Sequence, residues 1–337
     1  MKPAPSEYLP DHELGAALLT VLLLVAIMAV IAATALDRLQ LSTRLAVNGA
    51  AITQARYYGY AAETIALSRL EDLIAREPAQ TTLAGDWLDR ETPIPVDRGL
   101  ATARLKDHSN CFNLNSLVNA NTGNDGQISY FANRVTIDQF ADLMSLLQVP
   151  RNDAEVIAQS LADAIDSDQQ ALPAGAEDAY YRGLEIPTLP PNRLLADRSE
   201  LLQVKGVTAQ IYNRIKSWIC ANPAAGPTQI NANTLSPDQS ILLAMLFDEK
   251  LPIAEAKAIL ARRPIDGYGS LVRFWSDPRL AAIKPPEAIQ EQVQLKSKFF
   301  SLQLKILAED VEFESTALID ARKPAPFVLL RSWGEAQ

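Results

Sequence analysis

The sequence predicts an α+β fold in which one very long N-terminal helix packs on an antiparallel sheet, and a large helical insertion interrupts that sheet. Three features of the 337-residue chain carry the prediction. No proline occurs between Pro10 and Pro78, strand-like alternation is concentrated after Phe300, and the segment from about Asn110 to Pro285 reads as helical. With 48% hydrophobic residues, the chain can build cores for two domains, or for one domain carrying a large insertion.

The helix comes first. No charged residue lies between Leu14 and Leu36, and the apolar run from Ala16 is about 32 Å long as a helix, enough to cross the hydrocarbon core. Three readings compete: a cleaved secretory signal, a plain signal anchor, or the membrane half of a longer helix. The Ala33-Thr34-Ala35 triplet suits a cleavage site, but the run exceeds a usual signal segment and the residues before it are acidic. Beyond the run the pattern turns amphipathic without a break, through Leu45, Ile52, Ala55, Ala62, Leu67, Leu70, Leu73 and Ile74. A single helix from about Ala16 to Arg76 would be roughly 90 Å long, which neither a signal peptide nor an ordinary anchor requires.

Gly15 directly before this apolar helix, and the helix's continuation into an amphipathic half, make the chain resemble the type IV pilins and pseudopilins. The resemblance implies a pilin-like fold and a leader peptide at residues 1–15. It also implies cleavage between Gly15 and Ala16 by a prepilin peptidase that methylates the new N-terminus. Most family members carry Glu at mature position five, paired with a neighbouring subunit's terminal ammonium; here that position is Thr20. Unpaired charge in an apolar filament core costs several kcal/mol, so a subunit without the acid is suited to the first place in the filament. The leader holds Lys2 against Glu7, Asp11 and Glu13, where family leaders are usually basic, and charge gives little help with orientation.

Past the helix, Pro93, Pro95 and the alternating Leu100, Thr102 and Arg104 suit short strands. Further strands are expected from Phe300, Val311 and Phe327, with Lys323, Pro324 and Pro326 as the turn before the last. If the chain beyond about Asp37 is exported, Cys111 and Cys220 lie in an oxidising compartment, where one bridge closing a loop of about 110 residues is expected. The alternative is a pair of buried free thiols.

The middle of the chain contains an internal echo, Phe-Asn-Leu-Asn-Ser-Leu at Phe112 and Ile-Asn-Ala-Asn-Thr-Leu at Ile230. Each suits a short extended segment leading into a side-chain-capped helix. Two helical subdomains are expected, at 110–226 and 227–285. Gly206 lies between two apolar runs in the first, and Leu251 to Pro264 repeats the helix, turn, helix rhythm in the second. Both resemble helix-hairpin-helix units of the sterile-alpha-motif-like class. Such units bind phosphate through backbone amides and nearby cations, but only Lys205 flanks Gly206, and the chain carries a formal charge of −9 and a pI near 4.9. Packing hairpins, and no nucleic-acid partner, are the expectation; the alternative is a membrane-anchored DNA-binding protein of competence type.

Asp163, Asp166, Asp168, Glu177 and Asp178 fall within one short segment that contains no Lys or Arg up to Tyr181. Such density calls for full solvation or a hard cation with oxygen ligands. Asp166, Asp168 and Glu177 stand at EF-hand positions one, three and twelve, but position six is Ala171 rather than Gly. Asn121, Asn124 and Asp125 form a second oxygen-rich segment, read as a turn.

Taken in order and spacing, the Gly15 junction, Cys111-Phe-Asn-Leu-Asn, Asp166-Ser-Asp-Gln-Gln, Leu201 to Val207, Ile230-Asn-Ala-Asn-Thr and Arg331-Ser-Trp-Gly make nearly the whole chain similar to the K-type minor pseudopilins of type II secretion. The resemblance implies structural calcium, with Asp166, Asp168, Glu177 and Asp178 as candidate ligands. Implied partners are I-type and J-type minor pseudopilins, an H-type subunit, the inner-membrane secretion platform, the outer-membrane secretin and secreted substrates. It further implies a single-pass inner-membrane protein with its C-terminal head in the periplasm, at the tip of the pseudopilus. Residues 16–109 would then hold the helix, with 16–36 in the membrane, and the first strands; 286–337 would complete the sheet. Catalysis is not expected: no acid and base pair is separable, no Ser, His and Asp ordering occurs, and no Gly-rich phosphate loop is present.

Overall fold

The computed structural model describes residues 11–97, 99–248, 250–308 and 311–334. Most of the expected leader, residues 1–10, lies outside the described residues. The first element, α1 (Asp11–Arg76), is 66 residues long. Its apolar half is exposed along its length, and burial begins only at Ala55, continuing through Ala62, Leu70 and Ile74. Gly59 lies in the same stripe, where an added Cβ would sit 3.5 Å from Phe313 and 3.6 Å from Ile306, ordinary contact distances. Small residues at 55, 59 and 62 therefore let the helix lie close on the sheet.

Strands β1 (Glu91–Val96) and β2 (Gly99–Asp107) form an antiparallel hairpin. Pro93 and Pro95 are tolerated because β1 is an edge strand. Leu100 is exposed and Thr102 and Arg104 half-exposed, while Ala101 and Ala103 between them are buried, so the alternation read from the sequence marks the outer face.

After β2 the chain leaves the sheet. Strand β3 (Phe112–Asn113), a 3-10 turn over Leu114–Leu117, and the hairpin of β4 (Val118–Thr122) and β5 (Ile128–Ala132) lead to α2 (Arg134–Leu146) and α3 (Arg151–Ile165). Asn133 caps α2 by accepting from the Val135 amide. The short α4 (Asp178–Arg182), a 3-10 turn over Arg198–Gln203, α5 (Ala209–Ile215) and β6 (Ile219–Cys220) complete this half. The other half runs from β7 (Ile230–Asn231) through α6 (Ser240–Ala244), α7 (Ile253–Ala261), α8 (Leu271–Trp275), α9 (Pro278–Ile283) and α10 (Glu287–Gln290) to β8 (Val293–Gln294).

The chain then rejoins the sheet as β9 (Phe299–Ala308), β10 (Val311–Asp320) and β11 (Phe327–Trp333). The sheet is antiparallel with strand order β1-β2-β9-β10-β11, and β2 meets β9 from Gly99 opposite Ala308 to Asp107 opposite Phe300. Helix α1 crosses β2, β9 and β10 over a core that includes Ile94, Phe300, Leu302, Ile306 and Ile319.

Three expectations need correction. The insertion is not purely helical: Gly123 to Gln127 is the turn of the β4–β5 hairpin, with Gly126 at φ +80°, and the flanking strands, one of which takes in Asn121, are too short to announce themselves. The insertion also extends past Pro285, because Ile230 pairs with Val293 in parallel and Val293 and Leu295 are buried in its core. Finally, the two expected subdomains share one continuous core running from Phe112 to Leu295, so they are halves of a single body.

The echoed motifs do matching work in the two halves. Asn113 and Asn231 each accept, through Oδ1, the amide of the second asparagine of their motif. Asn115 and Asn233 in turn accept distant amides, those of Leu195 at 2.7 Å and Tyr268 at 2.8 Å. All four asparagines are buried and hydrogen-bonded, as burial of an amide requires.

Candidate metal centre and N-terminal apolar helix

Helix α3 ends at Asp166, which caps its C-terminus, and Glu177 is the residue before α4. The intervening loop folds back so that Asp166, Asp168 and Glu177 each bring a carboxylate oxygen within 4.8 Å of the others. Asp166 and Glu177 are buried and Asp168 is exposed, which leaves the cluster open to solvent on one side. Three negative charges beside the negative end of a helix dipole repel one another and the helix. Neither Asp166 Oδ1 nor either Glu177 carboxylate oxygen has a hydrogen-bond partner.

Burial, followed by the neighbouring negative charges, pushes Asp166 and Glu177 up to about 7. Asp163, fully buried one turn earlier, is pushed up to about 6, chiefly by burial. Its carboxylate accepts the Leu172 amide at 3.1 and 3.2 Å and so pins the loop from below. Gly175 passes so close that an added Cβ would lie 1.8 Å from Asp163 Oδ2. The donor set is all oxygen, buried acceptors lack donors, and charge is uncompensated: these residues fit a hard divalent cation, to which Asp166, Asp168 and Glu177 would each offer an oxygen.

Asp178 is not one of the convergent three. It is turned to Arg182, with Oδ2 at 2.6 Å from the guanidinium. Sequence reasoning also placed no cation near this loop, and Lys205 supplies one from the following hairpin. Its Nζ donates to the carbonyls of Gly175 at 2.9 Å and Ala174 at 3.2 Å and lies 5.1 Å from the Tyr180 ring centre. Gly206 next to it adopts φ +86°, and an added Cβ would sit 3.1 Å from Ile157. That hairpin thus packs against α3 and holds the acidic loop, with its lysine already engaged. No short sequence pattern signals a latch that reaches back 30 residues, nor a glycine required only by a buried carboxylate.

Cys111 and Cys220 are joined in a disulfide with Cα atoms 5.8 Å apart, beside the parallel β3–β6 pair. The bridge closes the first half of the insertion on itself. Beside it, burial and then the charge of Arg198 push the His108 imidazole down to about 4.

Along α1, the Gly15–Ala16 junction lies inside the helix, and the residues from Ala16 to Leu36 are all exposed. Thr20 turns its hydroxyl to the Ala17 carbonyl at 2.8 Å, so its polar group is satisfied within the helix.

Residues 110–224 and 230–296 match two family models, both described as protein K of the type II secretion system. Over 319 residues the chain is 31% identical to the type II secretion system protein K of Aeromonas hydrophila, covering 94% of this chain and 96% of that protein. It is 30% identical over 328 residues to the protein K of Klebsiella pneumoniae, covering 96% and 97%. The fold also matches a chain in the crystal structure of the GspK-GspI-GspJ complex from the enterotoxigenic Escherichia coli type 2 secretion system. That match has a TM-score of 0.72 and 32% identity, over 84% of this chain and 97% of the other.

Proposed function

Because the chain belongs to the type II secretion system protein K family, whose members are minor pseudopilins, we propose that it forms the tip of the pseudopilus and nucleates its assembly. The observation that carries the reading is the insertion between β2 and β9. It spans 108–298, more residues than the sheet and its helix contain together, and it sits on the same chain as a 66-residue helix whose apolar half is exposed. A head widened this way cannot be stacked repeatedly without overlap, but it fits once, at an end. Thr20 agrees with this: the place of the customary acid is taken by a hydroxyl that needs no partner from a neighbouring subunit.

In this reading Ala16 becomes the N-terminus after prepilin peptidase cleavage, α1 anchors the chain once in the inner membrane, and the head projects into the periplasm. Partners are I-type and J-type minor pseudopilins, as the complex of the structural relative suggests, with an H-type subunit below. The tip would touch the outer-membrane channel or the secreted substrate, and no step of this role requires catalysis. Calcium is the cation that suits an exported all-oxygen site, and Asp166, Asp168 and Glu177 would hold it as a structural ion that ties α3 to α4.

Co-expression with I-type and J-type heads followed by size exclusion tests the reading. A stable complex containing all three is expected. A chain that elutes alone in the presence of both partners contradicts the tip assignment.

A further inference from the structure

Where β8 gives way to β9, Lys296 and Lys298 line a cleft of about 260 Å³ at the seam between the insertion and the sheet. Phe299 and Arg322 form its wall on the sheet side, and the run from Ala224 to Thr228 forms the wall on the insertion side. The charges in it are one-sided. Lys298 Nζ donates to Gln229 Oε1 at 2.5 Å, and Lys296 Nζ donates to the Pro78 carbonyl at 2.8 Å. Both acceptors are neutral, and neither lysine forms an ion pair among the described residues. Arg322 is the third cation, but Asp320 already engages it at 2.6 Å. Two positive charges without counter-ions among the described residues, that of Lys298 part-buried and that of Lys296 exposed, thus line one cleft in a chain whose formal charge is −9.

We propose that this cleft binds a carboxylate side chain from an acidic segment of a partner polypeptide, with Lys298 as the principal cation and Lys296 as the second. Burial, and then the positive charge of Arg322, hold the Lys298 ammonium below its ordinary range, a situation that an incoming carboxylate relieves. The neutral Gln229 amide is a weaker partner for an ammonium than a carboxylate would be. Pockets for cofactors and drug-sized ligands span roughly 300–1,000 Å³, so this smaller cleft suits one or two side chains instead. Because its walls come from both the sheet and the insertion, an occupant would touch both bodies at once.

Fluorescence anisotropy on the full-length protein in detergent micelles tests the proposal. The probes are a fluorescein-labelled hexapeptide of alternating Glu and Gly, and its Gln counterpart. The Glu peptide is expected to bind at least tenfold more tightly. Lys298→Gln is expected to weaken it about tenfold and Lys296→Gln less, while Lys298→Arg retains most of the binding. Lys257→Gln, at a lysine already paired with Asp238, is expected to change nothing. Melting temperatures of the variants identify any that fail to fold, and the Lys298→Arg and Lys296→Gln variants then carry the comparison. Equal binding of the two peptides, or undiminished binding to folded Lys298→Gln, overturns the proposal. So does inorganic phosphate binding more tightly than the Glu peptide and displacing it, which would make the cleft a site for small free anions.

Discussion

Arg331, on the last strand, closes on Glu63 of α1 with two parallel hydrogen bonds of 2.6 and 2.8 Å, joining residues 268 apart in sequence. Glu63 is buried, and the guanidinium also lies 5.1 Å from the Tyr60 ring centre and 5.7 Å from that of Trp333. The pair fastens β11 to the helix whose first half is the exposed apolar run. Arg331→Ala leaves a buried carboxylate without its partner and is expected to cost about 2–3 kcal/mol in denaturant melts. Arg331→Lys, which keeps the charge but loses the fork, is expected to recover only part of that.

Calcium dependence should vary with pH in a defined direction. Asp166 and Glu177 titrate near 7 and Asp163 near 6, against about 4 in the unfolded chain. In chelator the native state therefore keeps protons that the unfolded chain releases. The site's contribution to stability is complete below about pH 4 and is lost as pH rises through about 7. Calcium in millimolar excess should raise the melting temperature by about 5 °C at pH 7.5 and by much less at pH 5. Asp166→Asn should remove the calcium response and make the chelated protein more stable at pH 7.5. Calorimetry with and without chelator reads all three outcomes.

Gly175→Ala places a methyl group 1.8 Å from Asp163 Oδ2, so either the loop or the carboxylate must move. A loss of about 2–3 kcal/mol and a weakened calcium response are expected, by chemical denaturation and calorimetry. Gly59→Ala, whose added Cβ meets its neighbours at 3.5 Å, serves as the matched control and should be neutral or stabilising through helix propensity.

The Cys111–Cys220 bridge spans 109 residues. Replacing both cysteines by serine is expected to cost up to about 5 kcal/mol in the chain-entropy limit. Protease sensitivity should rise first in the first half of the insertion, which the bridge closes. Limited proteolysis with mass mapping of the first cuts checks this.

Much of this architecture was legible in the sequence because long-range order there is written in simple signals. The absence of proline between Pro10 and Pro78 marks α1, and β-branched and aromatic alternation marks β9 to β11. The β4–β5 hairpin was not legible, since five-residue strands flanking a polar turn look like loop. The end of the insertion was misplaced because the pairing of Ile230 with Val293 depends on two-residue strands that have no periodicity to read. At the acidic loop, composition alone brought Asp166, Asp168 and Glu177 forward. It equally brought forward Asp178, which only geometry assigns to Arg182, and it was silent on Lys205, whose approach is set by how the hairpin at Gly206 packs on α3.

Position within the filament is read most directly by electron microscopy of sheared pseudopili carrying a gold label on a cysteine-free tag inserted in the exposed segment at Ile265. One label at a single end of each filament is the expected result. Labels spaced along the shaft would show the chain to be a repeating subunit and would contradict the proposed tip position.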